Sequence, residues 1–289
     1  MRLRGRKLTA WFMAMPGVTL ILLVALFPLF YSLILSFFDW NLQSPDRPFV
    51  WFQNYGAVLS APRVWQALAR SFGIAAVAVG LEFALGLGLA ILLTDEFPGK
   101  GLTVIIAMTP MMMAPVVVGQ VWRMMWATRF GAINGLLSKI AGEPQFIPWL
   151  GDTKLALSAI VVTDVWQWTP FVMLIALAGF SAVNVELYEA AAIDGSTRWQ
   201  AFWRVTLPVV RPVLLVALLF RSLDALKLFD TLYVLTAGGP GYSTETFPYY
   251  IYQQGFLSGR FSYTAAASYL FLIIVVVISQ VLVRRIGEV

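Results

Sequence analysis

Six charged side chains stand where an apolar chain can least tolerate them. Arg221, Asp224, Lys227 and Asp230 follow one another at three-residue spacing inside a hydrophobic stretch. Asp164 and Glu82 interrupt two others, and Trp166 and Trp168 lie just after Asp164. An ionised group at the centre of a bilayer costs about 2.5–3.5 kcal/mol on insertion scales. Such residues therefore pair, line water, or both. The three-residue spacing brings neighbouring opposite charges onto one helix face, where they can pair. Carboxylates beside indole rings also suit carbohydrate, whose hydroxyls take hydrogen bonds and whose ring faces stack on aromatics. Two readings stand side by side: Arg221 pairs with Asp224, Asp164 or Glu82 and holds helices together, or the group lines a water-filled path for a solute.

Other chemistry is excluded by what is missing. The chain has no cysteine and no histidine. That removes disulfides, Cys/His zinc sites, thiol nucleophiles and imidazole bases. No pair of carboxylates forms a catalytic motif, so an enzyme is not expected. A phosphate-binding loop needs G-x-x-x-x-G-K-[ST]. Here Gly99-Lys100 is followed by Gly101, and Thr94 occupies the first glycine's place. The chain is not expected to bind ATP itself, and no cofactor or metal is expected.

The elements that must position these residues are membrane helices. Hydrophobic residues make up 60% of the 289 and charged residues only 12%, about half the charged share of a soluble domain. A spanning helix needs about 20 apolar residues. Six such stretches are expected near 15–37, 69–94, 102–126, 155–180, 209–233 and 262–283, in a single all-α polytopic domain covering 1–289. If the fifth begins near Val209, Arg221 lies roughly 18 Å in, close to the midplane. The stretch Leu8 to Phe38 carries no charge and is too long for a signal-peptide core, so a retained first helix is expected.

Lys and Arg set the orientation. With the N-terminus inside, the cytoplasmic segments hold Arg2, Arg4, Arg6, Lys7, Lys100, Arg198, Arg204, Arg211, Arg284 and Arg285. The outer segments hold fewer, spread over longer loops. Both termini are then cytoplasmic, in the cell inner membrane, and Trp40, Trp51 and Trp149 fall near the outer interface. The net charge of +5 belongs to this bias and not to nucleic acid. Met111, Met112 and Met113 are read as flexible packing or as a surface along which solute slides. Pro110 and Pro115 beside them predict a kink.

The loop 184–208 is polar and helix-prone. Asn184 suits an N-cap, with Glu186 in the first turn. Gly195 can end that helix in a left-handed conformation. Thr197 and Gln200 fit a capping box for a second short helix. Pro208 is expected to break the chain before the fifth span. The alanines at 190–192 offer a smooth face to another protein. The alternative is an amphipathic helix lying on lipid.

Within this loop, Glu189-Ala190-Ala191, Gly195 four positions later, and Leu207-Pro208 resemble the EAA loop of bacterial ABC importer permeases, with Val205 where isoleucine is common. The segment FVWFQNY (49–55) is similar to the FxGLxNY segment of carbohydrate permeases, with Trp51 in the glycine's place and Gln53 where other residues are common. Leu218 to Thr246 resembles the fifth-helix signature of maltose-type permeases. The resemblance implies a type I (MetI-like) importer fold. It implies that Glu189, Ala190, Ala191, Asp194, Gly195, Leu207 and Pro208 form the coupling contact with an ATPase subunit. It implies a second homologous permease, two ATPase subunits that bind ATP and Mg, and an extracytoplasmic solute-binding protein. The glycine-rich stretch with Gly238, Gly239 and Pro240 reads as a bare turn or, by the resemblance, as a contact for that binding protein. The solute is expected to be a sugar or oligosaccharide. Glycerol-phosphate or another polyol, or an ion-coupled secondary transporter, are the alternatives.

Overall fold

A computed structural model describes residues 2–43 and 46–287, and the side chains of 11–43 and 46–284. Arg2, Arg4, Arg6, Lys7 and Arg285, which carry much of the charge bias, have side chains outside the described residues. About three quarters of the chain is helical. The helices in chain order are α1 (Arg2–Ile21), α2 (Phe27–Leu35), α3 (Gln53–Ser60), α4 (Pro62–Leu92), α5 (Lys100–Met112), α6 (Pro115–Met125), α7 (Ala132–Ala141), α8 (Thr153–Ser181), α9 (Val185–Ile193), α10 (Arg198–Ala201), α11 (Leu207–Leu226), α12 (Asp230–Leu235), α13 (Phe247–Tyr252) and α14 (Phe261–Gly287). Widened π-helical turns at Leu22–Leu26 and Phe202–Thr206 join neighbours into longer rods, and one at Gln253–Leu257 extends α13.

Among the described residues, four stretches are long and apolar enough to cross a membrane: Trp11–Leu35, Pro62–Leu92, Thr153–Ser181 and Phe261–Arg284. A fifth is the pair α5–α6, bent by 96°. The kinked span expected near 102–126 is therefore a full break. Pro115 forces Ala114 into an extended conformation (φ −62°, ψ 136°), so α5 must stop at Met112. The span expected at 209–233 also differs. It runs as α11 to Leu226 and restarts as α12 at Asp230. Arg211, Arg221 and Asp224 make α11 too polar to pass as a simple apolar span.

Pro208 does not break the chain. The π-helical turn just before it widens the rod where the proline ring would press on the carbonyl of residue 204 and where the missing N–H leaves a gap. The helix continues from Arg198 to Leu226. Pro28, after the turn at Leu22–Leu26, is accommodated in the same way.

The chain divides into two compact units. The first comprises residues 1–65 and 251–274. Here the end of the first apolar rod is tied down by the motif FVWFQNY. The Asn54 amide donates to the carbonyls of Ser36 and Phe38 at 2.9 and 2.7 Å, and the Tyr55 hydroxyl meets Ser36 Oγ at 2.7 Å. Phe38 and Phe49 pair as an isolated antiparallel bridge.

The second unit comprises residues 66–250 and 275–289. Its post is α8, which packs on α5, α6, α11 and α12. More than half of the α8 span is buried (56%), against none of Trp11–Leu35. The core around Met173, Ala176, Phe180, Val210 and Leu214 reaches Tyr188 and Phe202 in the polar loop. At Gly86 a Cβ would lie 2.7 Å from Val172, so only glycine lets α4 approach α8 this closely.

Candidate functional site

The charges singled out in the sequence meet in the second unit at Arg221. Its guanidinium grips Glu82 with two hydrogen bonds, Nε to Oε2 at 2.6 Å and Nη2 to Oε1 at 2.8 Å. Nη2 also donates to Asp164, and Nη1 to Asp224 at 3.3 Å. One cation thus joins α4, α8 and α11. A planar fork of five N–H donors is what such a three-way contact needs, and lysine could not make it. Glu82 is 0% exposed and Asp164 and Arg221 are buried, whereas the Asp224 side chain is 52% exposed. The pairing and the lining are therefore both present, on different members of one group.

Beyond the paired core the group opens. Asp224, Lys227, Asp230 and Trp168 line a cleft of about 90 Å³ with Asp164 and Arg221 at its base. The Trp168 ring lies 5.2 Å from the guanidinium carbon. The cleft volume is well below the roughly 300–1,000 Å³ of small-molecule pockets, so a sugar ring would need it wider. Lys227 joins no salt bridge among the described residues. The three-residue pairing stops there because α11 ends at Leu226 and the helical spacing no longer applies.

Trp166 does not share this cleft. Two residues along a helix turn a side chain by about 200°, and the Trp166 ring instead meets Trp122 edge-on at 5.5 Å. The break between α5 and α6 does adjoin the group. Pro115 lines the cleft, and its carbonyl accepts from Thr231 at 3.4 Å. The Gln167 amide donates to the Met113 carbonyl at 3.1 Å, satisfying a group the break leaves free. Gln167 was not singled out in the sequence. Its place one residue before Trp168, in an apolar helix, was the signal.

The polar loop is a second arrangement. Asn184 sits at the N-cap of α9, but its side chain makes no cap bond. The helix ends in a Schellman motif: Ser196 N–H to Ala191 O at 2.9 Å and Gly195 N–H to Ala192 O at 3.0 Å, with Gly195 at φ +77°. The Thr197–Gln200 capping box forms. Ala191 faces inward and is buried, while Glu189, Ala190, Asp194 and Gly195 are exposed. Leu207 packs on the core and Pro208 is exposed. The alanine row is thus split between the inner and outer faces. Ile193 was not anticipated. It lies one turn after Glu189 and is 88% exposed, leaving an apolar tip beside a carboxylate. The loop is mounted on the bundle by Tyr188 Oη and Thr206 Oγ1, 2.8 Å apart, and by Phe180 against Phe202.

The glycine-rich stretch is held from behind. Thr236 and Thr244 share a hydrogen bond of 2.8 Å, and Thr244 donates to the Gly239 carbonyl at 2.8 Å. Arg70 Nε donates to the carbonyl of buried Glu245 at 2.9 Å, and Phe247 N–H to Ser71 at 2.8 Å. Gly238 is buried and Gly239 and Pro240 are half-buried. Gly241 and Tyr242 are the exposed tip.

A model of the family described as binding-protein-dependent transport system inner membrane component matches residues 8–288. The chain belongs to that family. This permease is 38% identical to the probable ABC transporter permease protein y4oQ of Sinorhizobium fredii, over 98% of this chain and 92% of that one. It is 37% identical to the trehalose/maltose transport system permease protein MalF of Thermococcus litoralis, over 85% and 82%. Its fold matches a chain of a bacterial ABC transporter involved in importing the acidic polysaccharide alginate, with TM-score 0.87 and 20% identity, over 100% and 99% of the two chains. The permease is therefore an all-α inner-membrane component of an ABC importer, as its EAA-like loop implies.

Proposed function

We propose that this permease conducts a neutral sugar or oligosaccharide past Trp168, Asp224, Lys227 and Asp230. The observation that carries the reading is the division of labour around Arg221. Glu82 and Asp164 hold it from behind, which leaves an indole face and half-exposed carboxylates on a cleft. Relatives named for trehalose and maltose transport support it. Four carboxylates (Glu82, Asp164, Asp224, Asp230) face two cations (Arg221, Lys227), which disfavours an anionic ester as cargo. The 289 residues act as one permease domain with both termini cytoplasmic. Glu189, Ala190, Asp194 and Ile193 meet an ATPase subunit, one of two that bind ATP and Mg. A second homologous permease completes the path, and a solute-binding protein delivers cargo to the loop bearing Gly241 and Tyr242.

The test is uptake by the reconstituted complex, with maltose, trehalose and glycerol phosphate offered separately. Import of a neutral sugar is expected, reduced about tenfold by Trp168→Ala, the equivalent of about 1.4 kcal/mol of lost ring contact. Import of glycerol phosphate alone would overturn the substrate class.

A further inference from the structure

The first unit contains a polar cavity that the transport reading leaves unused. It measures about 290 Å³, roughly three times the cleft at Arg221. That is close to the lower end of small-molecule pockets, about 300–1,000 Å³. One wall is the chain from Asp39 to Gln43, the other the turn from Ser258 to Tyr263. The walls are fixed to each other by hydrogen bonds: Leu42 N–H donates to Gly259 O at 2.9 Å, and Trp40 N–H to the Ser262 hydroxyl Oγ at 3.0 Å. Asn54, also on the lining, spends its amide N–H groups on the carbonyls of Ser36 and Phe38 and so holds the first wall in shape.

One of the functional groups that line the cavity is set in advance. The Arg260 guanidinium lies 4.1 Å from the Tyr263 ring centroid and donates to Gln254 Oε1 at 3.1 Å, which fixes its plane. Opposite it, the Asp39 carboxylate and the Gln43 amide make no side-chain hydrogen bond or ion pair among the described residues. The cavity therefore offers a carboxylate acceptor, an amide that both donates and accepts, a guanidinium and the Ser258 hydroxyl. One negative and one positive side chain cancel, so an ion of either sign gains little. A compact ligand with many hydroxyls gains from each group.

We propose that this cavity is a second binding site for a neutral polyhydroxylated ligand, one sugar ring in size, at the extracytoplasmic end of the first apolar rod. The proposal rests on the sugar-transport reading above. Asp39 and Gln43 are the recognition groups, and Arg260 is the oriented donor.

Saturation-transfer NMR on the whole complex in nanodiscs, without binding protein and titrated with maltose and trehalose, tests it. In a Trp168→Ala background, which weakens the cleft, sugar binding should persist. Adding Gln43→Ala or Asp39→Asn should then weaken it at least tenfold. Both side chains are exposed, so the variants should fold, and matching circular dichroism checks this. Binding that neither substitution alters would overturn the proposal while leaving sugar transport intact. So would a complex that imports sugar yet shows no such binding. If the substitutions weaken capture of the binding protein with sugar titration unchanged, the cavity is a protein contact and the proposal fails. A complex that imports no sugar at all would take down both readings.

Discussion

The cluster at Arg221 and the loop at Glu189 treat charge in opposite ways, although both hang from α8 and α11. At Arg221 each charge of the buried core finds its partner within the chain, and three carboxylates from three helices close on one guanidinium. At the loop the backbone is satisfied locally, by a Schellman turn and a capping box, while Glu189, Asp194 and Ile193 are left facing out. Where lipid or protein surrounds a charge, leaving it unpaired costs several kcal/mol. Where water surrounds it, the same charge is free for another molecule. On the proposed reading the contrast separates groups that hold the bundle from groups that meet partners, and it can be tested on one scale, folding stability.

The largest effect is expected at the centre. Arg221→Met leaves Glu82, Asp164 and Asp224 facing one another with no cation. Breaking a buried pair by removing one partner costs about 3–5 kcal/mol. Thermal unfolding of the purified complex should shift down sharply, or the variant should fail to accumulate. Adding Glu82→Gln and Asp164→Asn should restore much of the loss. If Arg221→Met alone melts like the parent, the cluster does not hold the bundle.

A smaller effect is expected where the two regions are joined. Tyr188→Phe removes the hydrogen bond to Thr206 and should cost about 0.5–1.5 kcal/mol. ATPase activity should become less responsive to solute, because the loop is less firmly tied to α11. A variant with both stability and coupling unchanged would show that the Phe180–Phe202 contact carries the mounting alone.

These contrasts were unevenly legible in the sequence. Local devices were readable. Gly195 and the Thr197–Gln200 box act within four residues, and their spacing dictates them. The charges at 82, 164 and 221 were visible as anomalies, but their joint grip was not, because Glu82 and Arg221 are 139 positions apart. Broken rods were read less well. Pro110 and Pro115 predicted a kink, yet not a 96° bend stabilised by Gln167 from another helix. Pro208 reads as a stop in the sequence, yet a π-helical turn, which leaves no composition signal, absorbs it. Trp51 shows a pattern whose reason appears only in the backbone. It adopts φ +54°, the left-handed region that suits the glycine of the FxGLxNY pattern it resembles.

Asp152 is an intermediate case that sharpens the comparison: fully exposed, yet partnered. Its carboxylate caps α8 by accepting from the N–H groups of Leu155 and Lys154 at 3.0 and 2.9 Å. These two amides hold its carboxyl below the ordinary carboxylate range. A group depressed in the folded state stabilises above its unfolded pKa, and the benefit is lost as pH falls through the folded value. Asp152→Ala should therefore lower the melting temperature at neutral pH by a modest, constant amount. The difference from the parent should shrink once pH drops below about 4. A difference that persists unchanged into acid would mean that the cap acts without its charge.

The smallest change in stability, within about 0.5 kcal/mol, is expected for Glu189→Lys, since the side chain is exposed and away from any structural contact named above. Its functional effect should nevertheless be severe. On the proposed docking to an ATPase subunit, reversing the charge beside Ile193 leaves a folded permease that no longer drives import. Copurification of the ATPase and solute uptake, measured on the same preparation, check this. An unchanged melting temperature with both readouts lost would place Glu189 among the groups that meet partners. Intact uptake with the ATPase still bound would remove the loop from coupling and return it to the alternative of a helix lying on lipid. A large loss of stability would show instead that Glu189 holds the bundle, and the division drawn between the two regions would not stand.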